Sequence, residues 1–212
     1  MVKTAILVSG GGTNLQAIID AKIFGEIRNC DIVAVISSNP QAYALERAKY
    51  ASIPSYIVDR SVFPNRLSFT KALLEKVQDL EVELIVYAGF NFILGSQFIN
   101  AYKNKIINIH PSLIPSFCGP GFYGIKVHEA VLEYGAKITG ATAHFATEIA
   151  DDGPIILQKA VEILEDDTPT TLQRRVMEEA EWKILPEAIS LFCERRLEVV
   201  GRVVRIRSKT YD

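Results

Sequence analysis

Short apolar runs rich in Val, Ile and Leu recur along the chain, separated by stretches whose apolar positions fall three and four residues apart. The first run, residues 4–9, reads as a strand, and Leu15-Gln-Ala-Ile-Ile-Asp after it as an amphipathic helix. The same rhythm continues with a strand from Asp31 to Ser38, a helix from Ala42 to Ala51 and a short strand from Ser55 to Asp59. Phe63-Pro-Asn-Arg66 introduces a helix to about Leu80, and Leu84 to Ala88 is a buried strand closed by Gly89 to Leu94. Strands alternating with helices imply parallel pairing through right-handed crossovers.

The second half reads differently. Ile106 to His110 is a strand that Pro111 and Pro115 stop, and His128 opens a helix to about Tyr134. Lys137 to Thr147 alternates as a strand, Ile155 to Ile163 is its pairing partner, and Glu148 to Gly153 is the loop between them. Thr168 caps a helix with Pro169 in its first turn, running toward Lys183, and Pro186 breaks or restarts it. Leu197 to Arg207 reads as one edge strand with an arginine-rich outer face. The expected fold is α/β: a Rossmann-like, mostly parallel sheet flanked by helices, with an antiparallel pair in the C-terminal half. Residues 1–212 form one domain in two halves, 1–105 and 106–212.

Two stretches carry candidate chemistry. Ser9-Gly10-Gly11-Gly12-Thr13-Asn14 joins a strand to a helix start, where free backbone N–H groups and the helix dipole favour a phosphate. Thr13 or Asn14 supplies a helix cap or a donor to phosphate oxygens; a tight capped turn is the alternative. It is neither a Walker loop nor a complete GxGxxG, because Leu15 stands at the last glycine position. In Ile106-Ile-Asn108-Ile-His110-Pro-Ser-Leu-Ile-Pro115, strand periodicity points Asn108 and His110 to one side at a strand end. An amide donor beside an imidazole suits a developing oxyanion. By itself the pair also fits a turn-closing asparagine and a satisfied core histidine.

Composition narrows the field. A net charge of −2 gives no general attraction to nucleic acid or anionic lipid, and no apolar run approaches a membrane span. The start has too short an apolar stretch for a signal peptide. Cys30, Cys118 and Cys193 are scattered and odd in number, which fits a reduced, cytoplasmic setting. His110, His128 and His144 carry no zinc signature, so a metal-free protein is expected. RNA binding through Arg195, Arg196, Arg202, Arg205, Arg207 and Lys209 ranks last, with few aromatics interleaved.

Asn108-Ile-His110-Pro-Ser-Leu-Ile-Pro, then Gly140-Ala-Thr142-Ala-His144-Phe, then Asp151-Asp-Gly-Pro, resembles the folate-dependent formyltransferases from Ile6 to about Pro186. The glycine-rich start and the length make it similar to the short members that act on glycinamide ribonucleotide. The resemblance implies transfer of a formyl group from 10-formyltetrahydrofolate to that amine, with Asn108, His110 and Asp151 catalytic and no metal. A carboxylate at Asp151 would lift the His110 pKa toward working pH. Gly12, Thr13 and Asn14 would hold the ribonucleotide phosphate, and Glu181 its ribose hydroxyls. Arg66 at the rim, Phe92, Ile93 and Leu94 through their backbone, and Asn108 would meet the folate. The resemblance also implies a monomer or homodimer without nucleic-acid or membrane partners. It assigns the phosphate and nucleotide to residues 1–105, and catalysis and folate to 106–212.

Three departures stand out. Family members often carry Met-Arg where this chain has Asn91-Phe92, a shorter loop than residues 116–127, and a small residue at Asp152. The glycines, proline and aromatics of that loop suggest a lid or rim. A methionyl-tRNA formyltransferase adds a C-terminal domain and an arginine in that loop, and a formyltetrahydrofolate hydrolase an N-terminal domain. The expectation here is neither.

Overall fold

Five apolar runs form the parallel part of one sheet: β1 (Val2–Val8), β2 (Cys30–Ser37), β3 (Ser55–Ile57), β4 (Leu84–Tyr87) and β5 (Ile106–His110). This computed structural model describes residues 1–208; Lys209, the last residue of the basic run, lies outside the described residues. Period-two alternation divides the inner strands between two cores. Ile6, Val8, Val86 and Ile107 face one side, where α1 (Thr13–Ile23) packs through Leu15 and Ile18. Ala5, Leu7, Ile85 and Ile106 face the other, against Phe69 and Leu73 of α3 (Arg66–Asp79) and Phe98 of α4 (Ser96–Ala101). Each fully buried Leu, Ile or Phe stabilises the fold by about 1.5–3 kcal/mol, so burial on both faces makes these strands near-continuous apolar runs.

The sheet order is β3-β2-β1-β4-β5-β6-β7-β9-β8. Beyond β5 the direction changes. β6 (Ile138–Phe145) runs antiparallel to both β5 and β7 (Ile155–Glu162), so antiparallel pairing is more extensive than the single pair expected. The expected C-terminal edge strand is a hairpin of β8 (Leu197–Val200) and β9 (Val203–Ile206), because Gly201 and Arg202 fold the chain back between them. The hairpin meets β7 through one parallel bridge, Ile155 to Val203.

Local signals explain most boundaries. Asn65 caps α3 by accepting the Ser68 N–H, and Thr168 caps α6 (Pro169–Val176) by accepting the Thr171 N–H. Thr13 and Asn14 do not cap α1; the cap position is Gly12 in left-handed backbone, with no side-chain bond. Both side chains instead reach toward the last helical segment. The helix expected at His128 begins a turn earlier as α5 (Ile125–Tyr134), which leaves His128 inside it and fully buried.

Pro186 does not break its helix. It lies within α7 (Trp182–Cys193), and the irregularity falls just before, in a wide i→i+5 turn over Met177–Glu181. The buried stripe here is Leu172, Val176, Ala180, Ile184 and Ala188, a spacing of four. In a 3.6-residue helix that spacing drifts by about 40° per turn, and a wider turn takes up part of the excess. Among the described residues, no helix is long and apolar enough to cross a membrane.

Gly12 is the position where the glycine turn tolerates nothing larger. Its φ is +74°, and an added Cβ would lie 2.7 Å from the Ala44 Cβ at the start of α2 (Ala44–Tyr50). Gly11 has open space around it. Gly12→Ala is therefore expected to lose about 1–3 kcal/mol of stability through strain and the displaced helix, and Gly11→Ala less than about 0.5 kcal/mol. Denaturant unfolding of the two variants checks this; equal losses would refute it.

Candidate active site

A cleft of about 720 Å³ opens where β1, β4 and β5 end, the usual ligand position of an open α/β sheet. The glycine turn after β1 and His110 at the end of β5 thus share one end of the sheet. One part of the cleft is apolar, lined by Tyr87, Phe90, Phe92, Leu94, Ile99 and Ala146. Another is polar, lined by Asn14, Gln173 and Glu181. Asn108, His110, His144 and Asp151 also line it.

Sheet register brings this cluster together. Asn108 on β5 lies directly opposite His144 on β6, and His110 opposite Thr142. His144 Nδ1 lies 3.0 Å from the Phe145 carbonyl. His144 Nε2 lies 3.1 Å from the Asn108 amide nitrogen, and the second hydrogen of that amide remains for a ligand. Thr142 pins the chain after β5: its hydroxyl donates to the Ser112 carbonyl at 2.6 Å and accepts the Ile114 N–H at 3.1 Å.

Asp151 closes the cluster from the loop between β6 and β7. Its Oδ2 is 3.4 Å from His110 Nδ1 and its Oδ1 3.6 Å from His144 Nε2. The Gly119 N–H also donates to Oδ2, at 2.9 Å. Asp151 occupies left-handed backbone at φ 56°. Gly153 lets the loop return tightly, because a side chain there would run into the Phe145 carbonyl. Asp152 points elsewhere and pairs with Arg202.

Burial and charge compete at each group. Burial by itself raises the Asp151 pKa, but the His144 contact, the charge of His110 and the Gly119 N–H outweigh it and hold the carboxyl below its usual range. For His110 the balance falls the other way. Both ring nitrogens face acceptors, Asp151 and the Phe117 carbonyl at 2.9 Å, which favours the charged ring. Burial disfavours it more, so the pKa is lowered rather than lifted as the carboxylate alone suggested. His128 is driven down to about 4 by burial and then by His110, and neither ring nitrogen has a hydrogen-bond partner among the described residues.

The expected ribonucleotide residues divide. Asn14 Nδ2 donates to Glu181 Oε2 at 2.7 Å, and both residues line the cleft. Glu181 is buried, not an exposed helix glutamate, and the wide turn sets it there. Burial pushes its pKa up to about 7 against the opposing Asn14 bond. Gly12 and Thr13 precede Asn14 but do not line the cleft; the Thr13 hydroxyl lies 3.8 Å from Met177 Sδ. Of the expected folate residues, Phe92, Ile93, Leu94 and Asn108 line the cleft. Arg66 stands exposed at the start of α3, outside the lining. Residues from both halves line both parts.

His144 belongs to one of the family motifs, yet nothing local in the sequence gives it a part in the site. Gln173, Met177 and Tyr87 carry no sequence signal that separates them from ordinary helix or core residues. The loop expected as a lid or rim borders the cleft: Pro120 to Gly124 line it, and the Phe117 ring packs on Phe122 and Tyr134. Among the described residues, no group of three or more His, Cys, Asp or Glu has a metal-holding arrangement.

The formyl transferase family model matches residues 2–189. The phosphoribosylglycinamide formyltransferase of Haemophilus influenzae is 39% identical over 209 residues, covering 99% of this chain and 95% of that protein. The trifunctional purine biosynthetic protein adenosine-3 of Gallus gallus is 39% identical over 198 residues, covering 93% of this chain but 19% of that much longer protein. The crystal structure of glycinamide ribonucleotide transformylase 1 from Symbiobacterium toebii superposes with a TM-score of 0.92 at 43% identity, covering 98% of this chain and 95% of that one.

Glu181 makes a pH prediction. Its folded pKa of about 7 stands above the ordinary 4.5, so its contribution to stability is full below 4.5 and lost as pH rises through 7. The loss is on the order of 3 kcal/mol. Glu181→Gln should therefore unfold at the same denaturant midpoint as the parent at pH 4.5 or below, and at a higher one at pH 8. A parent that is no less stable at pH 8 than its variant would contradict this.

Proposed function

The chain belongs to the formyl transferase family, and we propose that it transfers a formyl group from 10-formyltetrahydrofolate to the amine of glycinamide ribonucleotide. The products are the formylated ribonucleotide and tetrahydrofolate, a step of purine synthesis. What carries the reading is the convergence of Asn108, His110 and Asp151 in one cleft whose polar lining also includes Asn14 and Glu181.

In this reading the apolar part takes the flat folate ring, with Phe92, Ile93 and Leu94 offering backbone groups to its edge. Glu181, oriented by Asn14, accepts from ribose hydroxyls, and the N–H groups of Gly12, Thr13 and Asn14 face the phosphate. The amine is thereby held against the formyl carbon. Its lone pair forms the new C–N bond, and the carbonyl electrons move onto oxygen. The free Asn108 N–H and a His110 N–H stabilise that oxyanion. As the bond from carbon to the folate nitrogen breaks, the proton lost by the amine passes to that nitrogen, with His110 and Asp151 as the relay. The lowered Asp151 pKa leaves the carboxylate charged, and so free to accept a proton, as the step begins. Arg66 meets an anionic folate group only from the rim. Three free thiols suit a cytoplasmic setting.

Supplying 10-formyltetrahydrofolate with glycinamide ribonucleotide, and separately with water alone, tests the assignment by tetrahydrofolate release. Release that needs the ribonucleotide supports it; equal release in water identifies a hydrolase. Asn108→Ala, His110→Ala and Asp151→Asn should each lower kcat about a hundredfold or more and leave ribonucleotide affinity nearly intact. Asn14→Ala should instead weaken the ribonucleotide and spare folate affinity, read by separate titrations. Equal weakening of both ligands would place the phosphate elsewhere.

A further inference from the structure

The hairpin β8–β9 lies beyond residues 2–189, where the family match ends, yet its turn touches the catalytic loop. Arg202 at the turn donates from Nη2 to Asp152 Oδ1 at 3.1 Å and from Nη1 to Oδ2 at 3.3 Å. Its Nη2 also donates to the Asp152 main-chain carbonyl at 3.0 Å. A planar guanidinium that engages both carboxylate oxygens and the backbone of one residue fixes that residue's orientation as well as its charge.

The neighbour so fixed is Asp151. Its φ of 56° is unfavourable for a residue with a Cβ, and loop 148–153 has few other ties. Those ties are the Asp152 N–H to the Ile149 carbonyl at 3.4 Å, the Thr147 hydroxyl to the same carbonyl at 3.0 Å, the Asn100 amide to the Glu148 carboxylate at 3.2 Å, and the contacts of Asp151 itself with Gly119, His110 and His144. The hairpin is seated beside this loop by the bridge from Val203 to Ile155. We propose that Arg202 is a positioning residue for formyl transfer, holding the loop in the backbone conformation that presents Asp151 between His110 and His144. This rests on the formyl-transfer reading above. Arg202 also acts electrostatically, because neutralising Asp152 spares Asp151 a like charge on the adjacent residue, which would raise its pKa.

The pair is largely exposed, with side-chain exposures of 70% and 45%. An exposed ion pair contributes little to folding, so its loss should act on turnover rather than stability. The test uses the full chain as wild type, Arg202→Ala, Arg202→Lys, Asp152→Asn and the double variant. Arg202→Ala should lower kcat roughly tenfold with both KM values little changed, because displacement of a catalytic group costs rate more than ground-state binding. The acid limb of its kcat–pH profile should move to higher pH. Arg202→Lys should recover part of the rate, and the double variant should be no slower than Arg202→Ala, since both changes break one contact. An NMR titration of the His110 ring reads the placement of Asp151 without turnover. Withdrawing the carboxylate should lower the His110 midpoint in Arg202→Ala. A wild-type kcat and pH profile in Arg202→Ala, an unchanged or raised His110 midpoint, or a rate loss matched by a fall in unfolding midpoint would overturn the proposal. If wild type transfers no formyl group, the functional reading fails, and the His110 titration still decides whether Arg202 positions Asp151.

Discussion

A carboxylate that stays charged while mostly out of water must be surrounded by groups that favour its charge, and Asp151 imposes that demand on its neighbours. With a side-chain exposure of 12%, it gathers two imidazoles and a backbone N–H. Each partner comes from a different element: His110 from β5, His144 from β6 and Gly119 from the loop ahead of α5. Neutralising one buried charge therefore fixes the relative position of two strands and two loops. The antiparallel insertion of β6 beside β5 is what makes this possible, because it sets His144 across from Asn108.

The same arrangement sets the state of His110. Its ring lies between the carboxylate and the Phe117 carbonyl, so the loop and Asp151 compete for its protons. A ligand oxygen entering the cluster must replace one of those acceptors, and the main-chain carbonyl of the loop is the one that movement can withdraw.

How much of this is legible in the sequence depends on whether a local pattern encodes it. Doubly buried strands such as Leu84–Tyr87 read directly, because both faces demand apolar residues. Asn108 and His110 read through strand periodicity and a proline stop. Helix α4 does not, since six residues give too little periodicity to register. The hairpin is hidden because Val199, Val200, Val203 and Val204 continue one apolar run through its turn. His144 gains its meaning only from the register of β6 on β5, a long-range fact. For His110, the sequence reveals the carboxylate that raises its pKa and conceals the burial that lowers it further. Arg66 and Glu181 are each a charged residue on a helix, and only packing decides that one is exposed and the other buried.

The wide turn over Met177–Glu181 gives the chain a counting rule. Each helical residue turns its side chain by about 100°, so one residue more or fewer rotates everything after it by that amount. Upstream of the turn, Leu172 and Val176 are committed to the core; downstream, Ile184, Leu185 and Ala188 are. Glu181, at the seam, meets Asn14 only at the present count. A frame-preserving deletion of one codon here could straighten the helix and improve its hydrogen bonding, yet carry the carboxylate off the cleft or the apolar stripe off the core. Between Leu172 and Pro186 the number of residues is thus itself a functional trait, inherited separately from their identities.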